Sequence, residues 1–375
     1  MKVLMVFGTR PEAIKMCPLV IELKRTDDIE CIVCLTGQHK EMLKQVMDAF
    51  EVKEDYNLEI MTNRQTLTTI TTSILQKIEP VLKTEQPDIV LVHGDTTTSY
   101  AAALAAFYQQ IPVGHVEAGL RTGDIYSPFP EEMNRQLTDR LSTVFFAPTE
   151  SNKNNLLKEG IIKNICVTGN TVIDAFSYTV KKNYKYHEEK LNQIDFSEKR
   201  VVLVTAHRRE NLGEPLKNIC AAINELSKAY KDIVFVYPVH LNPAVREIVF
   251  EMLGNNENVM LTDPIDVLDM HNLMSQCYMV MTDSGGIQEE APHFGKPVLV
   301  LRTETERPEA VEAGTVKVVG VERKDIILEA EKLINDVTEY ELMAKAINPY
   351  GDGHASERIV NALKTYTFFG FKAEI

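Results

Sequence analysis

The most regular feature of the chain is the alternation of short apolar runs with longer stretches of helical periodicity. Near-continuous apolar runs such as "DIVLV", "RVVLVT" and "PVLVL" are typical of parallel strands that are buried on both faces. Stretches such as "TSYAAALAAFYQQ" and "DAFSYTVKKNYKYHEEKL" predict helices between these strands. The repeated strand–helix order predicts an α/β fold with doubly wound parallel sheets.

The spacing of the apolar runs also predicts the domain organisation. The strand pattern occurs at 2–7, 30–35, 88–93, 111–116, 143–147 and 164–168, and again at 200–205, 233–237, 258–261, 278–282, 297–301 and 315–319. Two sheets of roughly six strands fit 375 residues better than one sheet containing every strand. We therefore expect two Rossmann-like domains, 1–182 and 183–356, with a final helix in 357–375 that joins the first domain.

Composition narrows the choice of partner and compartment. A net charge of −14 disfavours a nucleic-acid partner, since such proteins normally present a basic face. No apolar run is long enough to span a bilayer, and the chain enters a strand at once, so neither a membrane anchor nor a signal peptide is expected. Cys31 and Cys34 lie three apart in a predicted strand, on opposite faces, which predicts core cysteines in a reducing cytoplasm.

Polar residues follow several of the predicted strands, and parallel α/β sheets bind their ligands at that edge. The residues in these positions are Gly8, Thr9, Arg10, Asp95, Glu117, His207, Arg208, Asp283, Ser284, Gly285 and Gly286. We expect the two domains to turn these groups towards one cleft between them.

Two of these strand ends carry signals for an anion. In "TDSGGIQEE", two glycines before a helix would let a phosphate approach backbone N–H groups, although the same sequence also suits a tight turn. In "GTRPE", Arg10 and Lys15 could bind an anion, or Pro11 could simply begin a helix with both cations solvated. The residues alone leave both alternatives open.

Carboxylates at neighbouring strand ends suggest acid–base chemistry. Asp95 and Glu117 would lie close together, and clustered carboxylates suit proton transfer. The alternatives are that Asp95 caps the following helix and that Glu131 forms an i,i+4 ion pair with Arg135, which the local pattern favours for Glu131.

Histidines also lie at or near the ends of the predicted strands. His207 stands beside two arginines and could help to neutralise a diphosphate. A metal site at His93, Asp95 and His115 is not expected, because these residues lack tight ligand spacing.

The motifs taken together resemble one family. The segments "FGTRPEAIK", "VHGDTTTS", "HVEAGLRTGD", "PFPEEMNRQ", "TAHRREN", "TDSGGIQEEAP" and "NPYGDGHASERI" occur in the order found in bacterial non-hydrolysing UDP-N-acetylglucosamine 2-epimerases, and the similarity runs nearly end to end. The resemblance implies the two-domain fold of GT-B glycosyltransferases, with the site in the interdomain cleft. It implies conversion of UDP-N-acetylglucosamine to UDP-N-acetylmannosamine for bacterial cell-surface polysaccharide synthesis, in a cytoplasmic homodimer without a cofactor.

The resemblance also implies roles for individual residues. It assigns Asp95, Glu117 and Glu131 to proton transfer, against the local pattern at Glu131, and His207 to the surroundings of the diphosphate. The implied substrate contacts are Arg10, Lys15, Ser284, Gly285, Gly286, Glu290 and Arg307, with Ile265 and Met270 near the uracil. A second UDP-N-acetylglucosamine, bound as an allosteric activator, is expected to contact Gln38, Glu41, Arg64, Arg208 and His240. Glu41 stands where some members of the family carry glutamine.

Three other functions remain open at this point. A hydrolysing epimerase would release N-acetylmannosamine, a GT-B glycosyltransferase would pass the sugar to an acceptor, and a sensor would bind the nucleotide sugar without turnover. A nicotinamide route is not expected, because no G-x-G-x-x-G turn follows a predicted strand.

Overall fold

The structure is a computed structural model that describes residues 1–37, 40–62 and 65–366, without the side chains of 40–42. The strands are β1 Lys2–Phe7, β2 Glu30–Leu35, β3 Tyr56–Asn57, β4 Ile89–His93, β5 Val113–Val116, β6 Val144–Ala147, β7 Ile165–Val167, β8 Arg200–Thr205, β9 Ile233–Pro238, β10 Val259–Thr262, β11 Met279–Thr282, β12 Val298–Val300 and β13 Val316–Val318. The helices are α1 Arg10–Arg25, α2 Lys40–Ala49, α3 Leu67–Glu85, α4 Thr97–Tyr108, α5 Glu131–Leu141, α6 Glu150–Lys158, α7 Thr171–Thr179, α8 Glu214–Ala229, α9 Pro243–Leu253, α10 Val267–Gln276, α11 Gly285–Glu290, α12 Pro308–Glu312, α13 Arg323–Asn335, α14 Val337–Ala344 and α15 Ala355–Thr365.

The chain divides into two compact units, each built on its own parallel sheet. The first unit is Met1–Tyr178 together with the chain from Tyr350 onward, and the second is Thr179–Pro349. The first sheet has the order β3-β2-β1-β4-β5-β6-β7, and the second has the order β10-β9-β8-β11-β12-β13. The prediction of two doubly wound α/β units is therefore confirmed.

The core of the first unit explains why its strands could be recognised from the sequence. Leu4 and Val6 on β1, and Val90 and Val92 on β4, have no exposed surface and pack with residues of α3 and α4 in one apolar cluster. A strand that is covered on both faces must be apolar at nearly every position, which produces the continuous runs seen in the sequence.

The second sheet is covered in the same way. Val202 and Val204 on β8 and Met281 on β11 are fully buried with residues of α8, α9 and α13. In both units, the loops at the carboxyl ends of these central strands therefore extend from a buried part of the sheet.

Helix α1 begins where the local sequence predicts. Thr9 is its N-cap and accepts from the backbone N–H of Glu12, while the Glu12 carboxylate accepts from the N–H of Thr9. Pro11 stands in the first turn, where its missing N–H costs nothing. The helix start is thus fixed by its own residues.

The last helix completes the first unit. Helix α15 packs against α1, and Asp174 of α7 accepts hydrogen bonds from the backbone N–H groups of Ala355 and Ser356 at its start. The carboxylate therefore supplies the cap for α15 from a distant part of the chain.

One local prediction was wrong, one strand was missed, and one open alternative is excluded. The helix predicted over "DAFSYTVKKNYKYHEEKL" ends at Thr179, because Lys181 donates its N–H to Asn272 and Tyr184 donates its hydroxyl to Asp269. The edge strand β3 was missed, since two residues are too short to show a pattern. The N-cap of α4 is Thr96 and not Asp95.

No helix within the described ranges combines the length and the apolarity that a membrane span requires.

Candidate functional site

Each sheet reverses its winding direction at one place, where parallel α/β sheets open a crevice at the carboxyl ends of the strands. In the first unit the reversal lies between the neighbouring strands β1 and β4, and in the second unit between β8 and β11. The segments that leave these four strands hold most of the polar residues singled out in the sequence. The candidate groups therefore lie where the topology of each unit predicts a ligand.

Glu12 connects the two sides of the crevice in the first unit. Its buried carboxylate accepts from the N–H groups of Gly8 and Thr9 through Oε2 and from the hydroxyls of Thr96 and Ser99 through Oε1. One side chain thus holds the segment after β1 and the segment after β4 in a fixed relation. The sequence reasoning missed Glu12, because it considered only the polar residues that directly follow the strands, and Glu12 lies inside α1.

Glu117 lies at the centre of the polar groups in the first unit. Its Oε2 is bonded to the ammonium group of Lys15, accepts from Nδ2 of Asn170 at 2.8 Å, and lies 3.6 Å from Nε2 of His93. Its backbone φ of +66° falls in the left-handed region that non-glycine residues rarely adopt. Such strain persists only where surrounding contacts enforce it, and it clusters at functional sites.

The surroundings of Glu117 keep its carboxylate charged. Burial alone would raise the pKa of Glu117, but the charges of Lys15 and His93 outweigh burial and hold that pKa well below its ordinary value. Oε1 faces Gly94, since a Cβ on that glycine would lie 3.4 Å from it. Glu117 therefore lies beside the turn that carries Asp95, as expected for neighbouring strand ends.

Asp95 is held by a different cation. Its Oδ2 accepts from Arg135 at 2.5 Å, and its side chain remains 28% exposed. Arg135 also bonds the buried Glu132, which accepts in turn from the N–H of Thr122. The local alternative, an ion pair between Glu131 and Arg135, is not found in the described part of the chain.

Glu131 is half-buried at the first position of α5, and no hydrogen bond or ion pair engages its carboxylate within the described ranges. Arg10 is similar, because it starts α1 at the end of β1 without an ion-pair partner among the described residues. Burial lowers the pKa of Arg10, although a guanidinium remains charged at neutral pH. Among the described residues, neither side chain is engaged in an ion pair, so both could contact a ligand.

In the second unit, Asp283 fixes the segment that leaves β8. Its Oδ2 accepts from the N–H groups of His207 and Arg208 at 2.7 and 2.8 Å and from the side chain of Asn211 at 3.0 Å. Since Asp283 itself follows β11, it joins the two strand ends at the reversal point of the second sheet.

The surroundings of His207 disfavour a positive charge on its ring, whereas the sequence suggested a group that helps to neutralise a diphosphate. Burial lowers the pKa of His207 and is the largest influence on it. Asp283 raises this pKa, whereas His240 and Arg208 lower it, and the pKa is lowered on balance. The ring of His207 stacks on His240 with the centroids 5.0 Å apart. The imidazole is therefore neutral near pH 7, and arginines carry the charge in this region.

Arginines converge on Gly285, the first residue of α11. A Cβ built on Gly285 would lie 3.6 Å from a terminal nitrogen of Arg208 and 3.7 Å from the guanidinium carbon of Arg307. Arg307 is bonded to the buried carboxylate of Glu289, and Arg208 donates to Glu306 at 3.2 Å. The turn Ser284–Gly286 and two cations thus form one cluster, suited to an anion with several oxygens.

The remaining residues of the second unit that are expected to contact the substrate lie on α10 and α11 or close to them. Glu290 ends α11, with Oε2 lying 3.8 Å from Nε2 of His271. Burial lowers the pKa of His271 to about 3, so this histidine is neutral. Ile265 precedes α10 and Met270 lies within it, and both are half-buried.

The residues expected to bind an activator are only partly described. Gln38 and Arg64 lie outside the described residues, and Glu41 lies in α2 with its side chain undescribed. Arg208 and His240 belong to the cluster around Gly285 and His207. The activator site therefore remains a prediction.

Asn170 and Glu306 are the clearest omissions of the sequence reasoning. Asn170 closely follows β7, so the rule that found Asp95 and Glu117 could have found it too. Glu306 stands in a loop without a strand pattern, and only its arginine partners reveal it.

Comparison with known proteins identifies the family. The family profile described as UDP-N-acetylglucosamine 2-epimerase matches residues 21–364. The UDP-N-acetylglucosamine 2-epimerase of Bacillus subtilis is 53% identical over 375 residues, covering 100% of this chain and 97% of the relative.

Two solved structures are also similar. The UDP-GlcNAc 2-epimerase of Neisseria meningitidis, bound to UDP-GlcNAc, has a TM-score of 0.87 and 53% identity, covering 98% of this chain and 100% of the other. The Methanocaldococcus jannaschii enzyme in complex with UDP-GlcNAc and UDP has a TM-score of 0.80 and 36% identity, with the same coverage of 98% and 100%. The two sheets, the family motifs and these matches show that the chain belongs to the UDP-N-acetylglucosamine 2-epimerase family.

Proposed function

We propose that this chain interconverts UDP-N-acetylglucosamine and UDP-N-acetylmannosamine by eliminating UDP and adding it back. Family membership supports the substrate, since relatives of 53% and 36% identity are described as bound to UDP-GlcNAc. The observation that carries the acid–base assignment is the setting of Glu117, a strained and nearly buried carboxylate beside the turn that holds Asp95.

The reaction must overcome the low acidity of the C2 proton, since no carbonyl group is adjacent to it. In the proposed first step a carboxylate removes the C2 proton while the C1–O bond breaks and its electron pair leaves with UDP. The new C1–C2 double bond gives 2-acetamidoglucal, which stays bound. In the second step a proton reaches the opposite face of C2 and UDP forms a new bond to C1.

We assign the proton transfers to Asp95, Glu117 and Glu131. Their settings differ, because Glu117 is paired with Lys15, Asp95 with Arg135, and Glu131 with no group in the described chain. Carboxylates in different settings can hold and release a proton at different stages of one reaction. Which of them is the base at C2 is left open.

We assign stabilisation of the departing UDP to cations and backbone N–H groups. Arg307 and Arg208 both lie beside Gly285, so we assign Arg208 to the diphosphate as well, although the resemblance placed it at the activator site. Fixed donors of this kind lower the barrier for a leaving diphosphate. Arg10 and Lys15 are further candidates for the sugar-phosphate, and His207 would act as a neutral hydrogen-bonding group. Glu290 would accept from ribose hydroxyls, with the uracil near Ile265 and Met270.

The wider setting is proposed on the same basis. The product would supply N-acetylmannosamine units for a cell-surface polysaccharide, and the active form would be a homodimer activated by a second UDP-N-acetylglucosamine. The cytoplasm would keep the six cysteines of the chain, all of them free, in the reduced state.

One NMR time course tests the proposal. The protein is incubated with UDP-N-acetylglucosamine in D2O, and we expect UDP-N-acetylmannosamine carrying deuterium at C2. Product without deuterium would contradict elimination. Free N-acetylmannosamine would indicate a hydrolysing enzyme, and absence of turnover would indicate a sensor.

A further inference from the structure

Glu306 lies within reach of three arginines in the second unit. One oxygen of its carboxylate lies 3.2 Å from Arg208 and 3.6 Å from Arg302, and the other lies 4.0 Å from Arg307. Arg208 and Arg307 are the same two cations that surround Gly285. Glu306 is therefore attached to the cluster to which we assign the diphosphate.

The cluster balances its own charge. Three guanidinium groups face the carboxylates of Glu306 and Glu289, and Glu210 approaches Arg302 at 2.9 Å. An additional anion must therefore displace a carboxylate or accept its repulsion.

Glu306 and Glu289 differ in how readily an added anion can displace their carboxylates from the arginines. The side chain of Glu289 is 2% exposed and is bonded to Arg307, so it is a fixed part of the arginine's surroundings. The side chain of Glu306 is 31% exposed, and its partner Arg208 is 30% exposed. Water can replace the contacts of an exposed carboxylate at little cost, whereas a buried carboxylate has no such exchange.

Glu306 is ionised under ordinary conditions. Burial would raise the pKa of Glu306, but Arg208, Arg307 and Arg302 outweigh burial and lower that pKa below its usual value. The arginines therefore face a full negative charge near pH 7.

We propose that Glu306 is an internal competitor of the substrate's diphosphate, which must displace its carboxylate to bind Arg208 and Arg307. This inference rests on the proposed function, because it takes UDP to bind at these arginines. A competing carboxylate lowers the affinity for UDP and so speeds release of a nucleotide sugar. It also excludes anions of lower charge that cannot bridge two guanidinium groups.

The test measures binding of UDP, inorganic pyrophosphate and uridine to the full-length protein by calorimetry at one fixed salt concentration. The variant is Glu306→Gln, which keeps the shape of the side chain and removes its charge. The matched control is Glu304→Gln, an exposed position in the same loop. Turnover of UDP-N-acetylglucosamine is measured separately for each protein.

We expect Glu306→Gln to bind UDP and pyrophosphate about threefold to tenfold more tightly, as removal of one partly exposed like charge allows. Uridine binding should not change, because uridine carries no phosphate, and Glu304→Gln should match the wild type. The gain should shrink as salt is added, because screening weakens the repulsion that was removed.

Two results would overturn the inference. Weaker UDP binding in Glu306→Gln would mean that the carboxylate positions the arginines, and unchanged binding would mean that it does not compete. Failure of the proposed function looks different, since it would appear as absence of UDP-N-acetylmannosamine in the wild-type reaction, whatever the variant binds.

Discussion

Nδ1 of His115 lies 2.6 Å from Oδ1 of Asp139, and neither side chain is exposed to solvent. The other ring nitrogen, Nε2, lies 2.7 Å from the carbonyl oxygen of Gly94. A carbonyl oxygen can only accept, so Nε2 must carry a hydrogen. Arg121 also donates to Asp139. Burial would raise the pKa of Asp139, but His115 and Arg121 outweigh burial and lower that pKa. An ionised Asp139 likewise only accepts, so Nδ1 must carry a hydrogen too.

We therefore predict that both ring nitrogens of His115 donate hydrogen bonds, to Asp139 and to the carbonyl of Gly94, and that the ring thereby holds the Gly94 turn beside Asp95 and Glu117. In protein labelled with ¹⁵N-histidine, a hydrogen should be seen on both ring nitrogens of His115, because each nitrogen faces an oxygen that accepts. A His115→Gln variant identifies the signal. A spectrum of a neutral tautomer for His115 would contradict the prediction and would place the shared proton on Asp139.

The second prediction concerns Asp95. Asp95→Asn keeps the size of the side chain and an oxygen for Arg135, but it cannot take or return a proton. We expect kcat to fall about 10²-fold to 10⁴-fold, the usual contribution of a positioned acid or base, while UDP binding is nearly unchanged. Initial rates and UDP calorimetry measure the two effects. Asp27→Asn, at an exposed position, is the control, and near-normal turnover in Asp95→Asn would exclude Asp95 from proton transfer.

The third prediction is a pH dependence that arises from Lys15 and Glu117. The pKa of Glu117 is held below its ordinary value, so its ion pair stabilises the folded state above that ordinary value, and the stabilisation disappears as the pH falls through the lowered pKa. Lys15→Met leaves a carboxylate that is only 10% exposed without its main cation. We expect a loss of about 3 kcal/mol in the free energy of unfolding near pH 7.

The sign of the pH effect should reverse in this variant. Without Lys15, burial becomes the dominant influence and raises the pKa of Glu117, so the deficit in stability should shrink as the pH falls from 8 towards 5. Melting temperatures of both proteins across this range measure the deficit. The double variant with Glu117→Gln should recover part of the loss, and a deficit that does not vary with pH would contradict the assignment.

The sequence predicted those features whose causes are local. The buried strands were recognised because double-sided burial requires apolar residues at successive positions, and the start of α1 was recognised because Pro11 suits a first helical turn. The end of α7 was not predicted, because it depends on distant residues. Asn272 and Asp269 bind the segment after α7 from 91 and 85 positions away in the sequence.

The same distinction applies to the candidate site. The ends of β4 and β5 could be found by rule, and they led to Asp95 and Glu117. The partners of Glu117 could not be found by this rule, since Lys15 and Asn170 lie 102 and 53 positions away from it in the sequence. Local spacing instead favoured pairing of Glu131 with Arg135, which in the structure bonds Asp95 and Glu132.

The fourth prediction concerns the cap that Asp174 provides for α15. The residue at the N-cap position of this helix, His354, makes no side-chain cap, so the two N–H groups bonded to Asp174 depend on that carboxylate. Burial raises the pKa of Asp174 although the hydrogen bonds from Ala355 and Ser356 oppose this effect. Burial therefore disfavours the charged carboxylate, and these cap hydrogen bonds favour it. Asp174→Ala should reduce the free energy of unfolding by about 1–2 kcal/mol, the typical effect of removing a cap.

Urea unfolding measures this loss, and hydrogen exchange locates it, because the amide of Ser356 should exchange faster in Asp174→Ala while amides of β1 and β4 remain protected. Asp174→Asn is the matched control, since one amide oxygen can still accept from a backbone N–H and should preserve part of the stability. UDP affinity should be unchanged in both variants, because the residues to which we assign UDP lie in other elements. Equal exchange at Ser356 in the wild type and Asp174→Ala would show that the start of α15 is held by packing against α1 and not by Asp174.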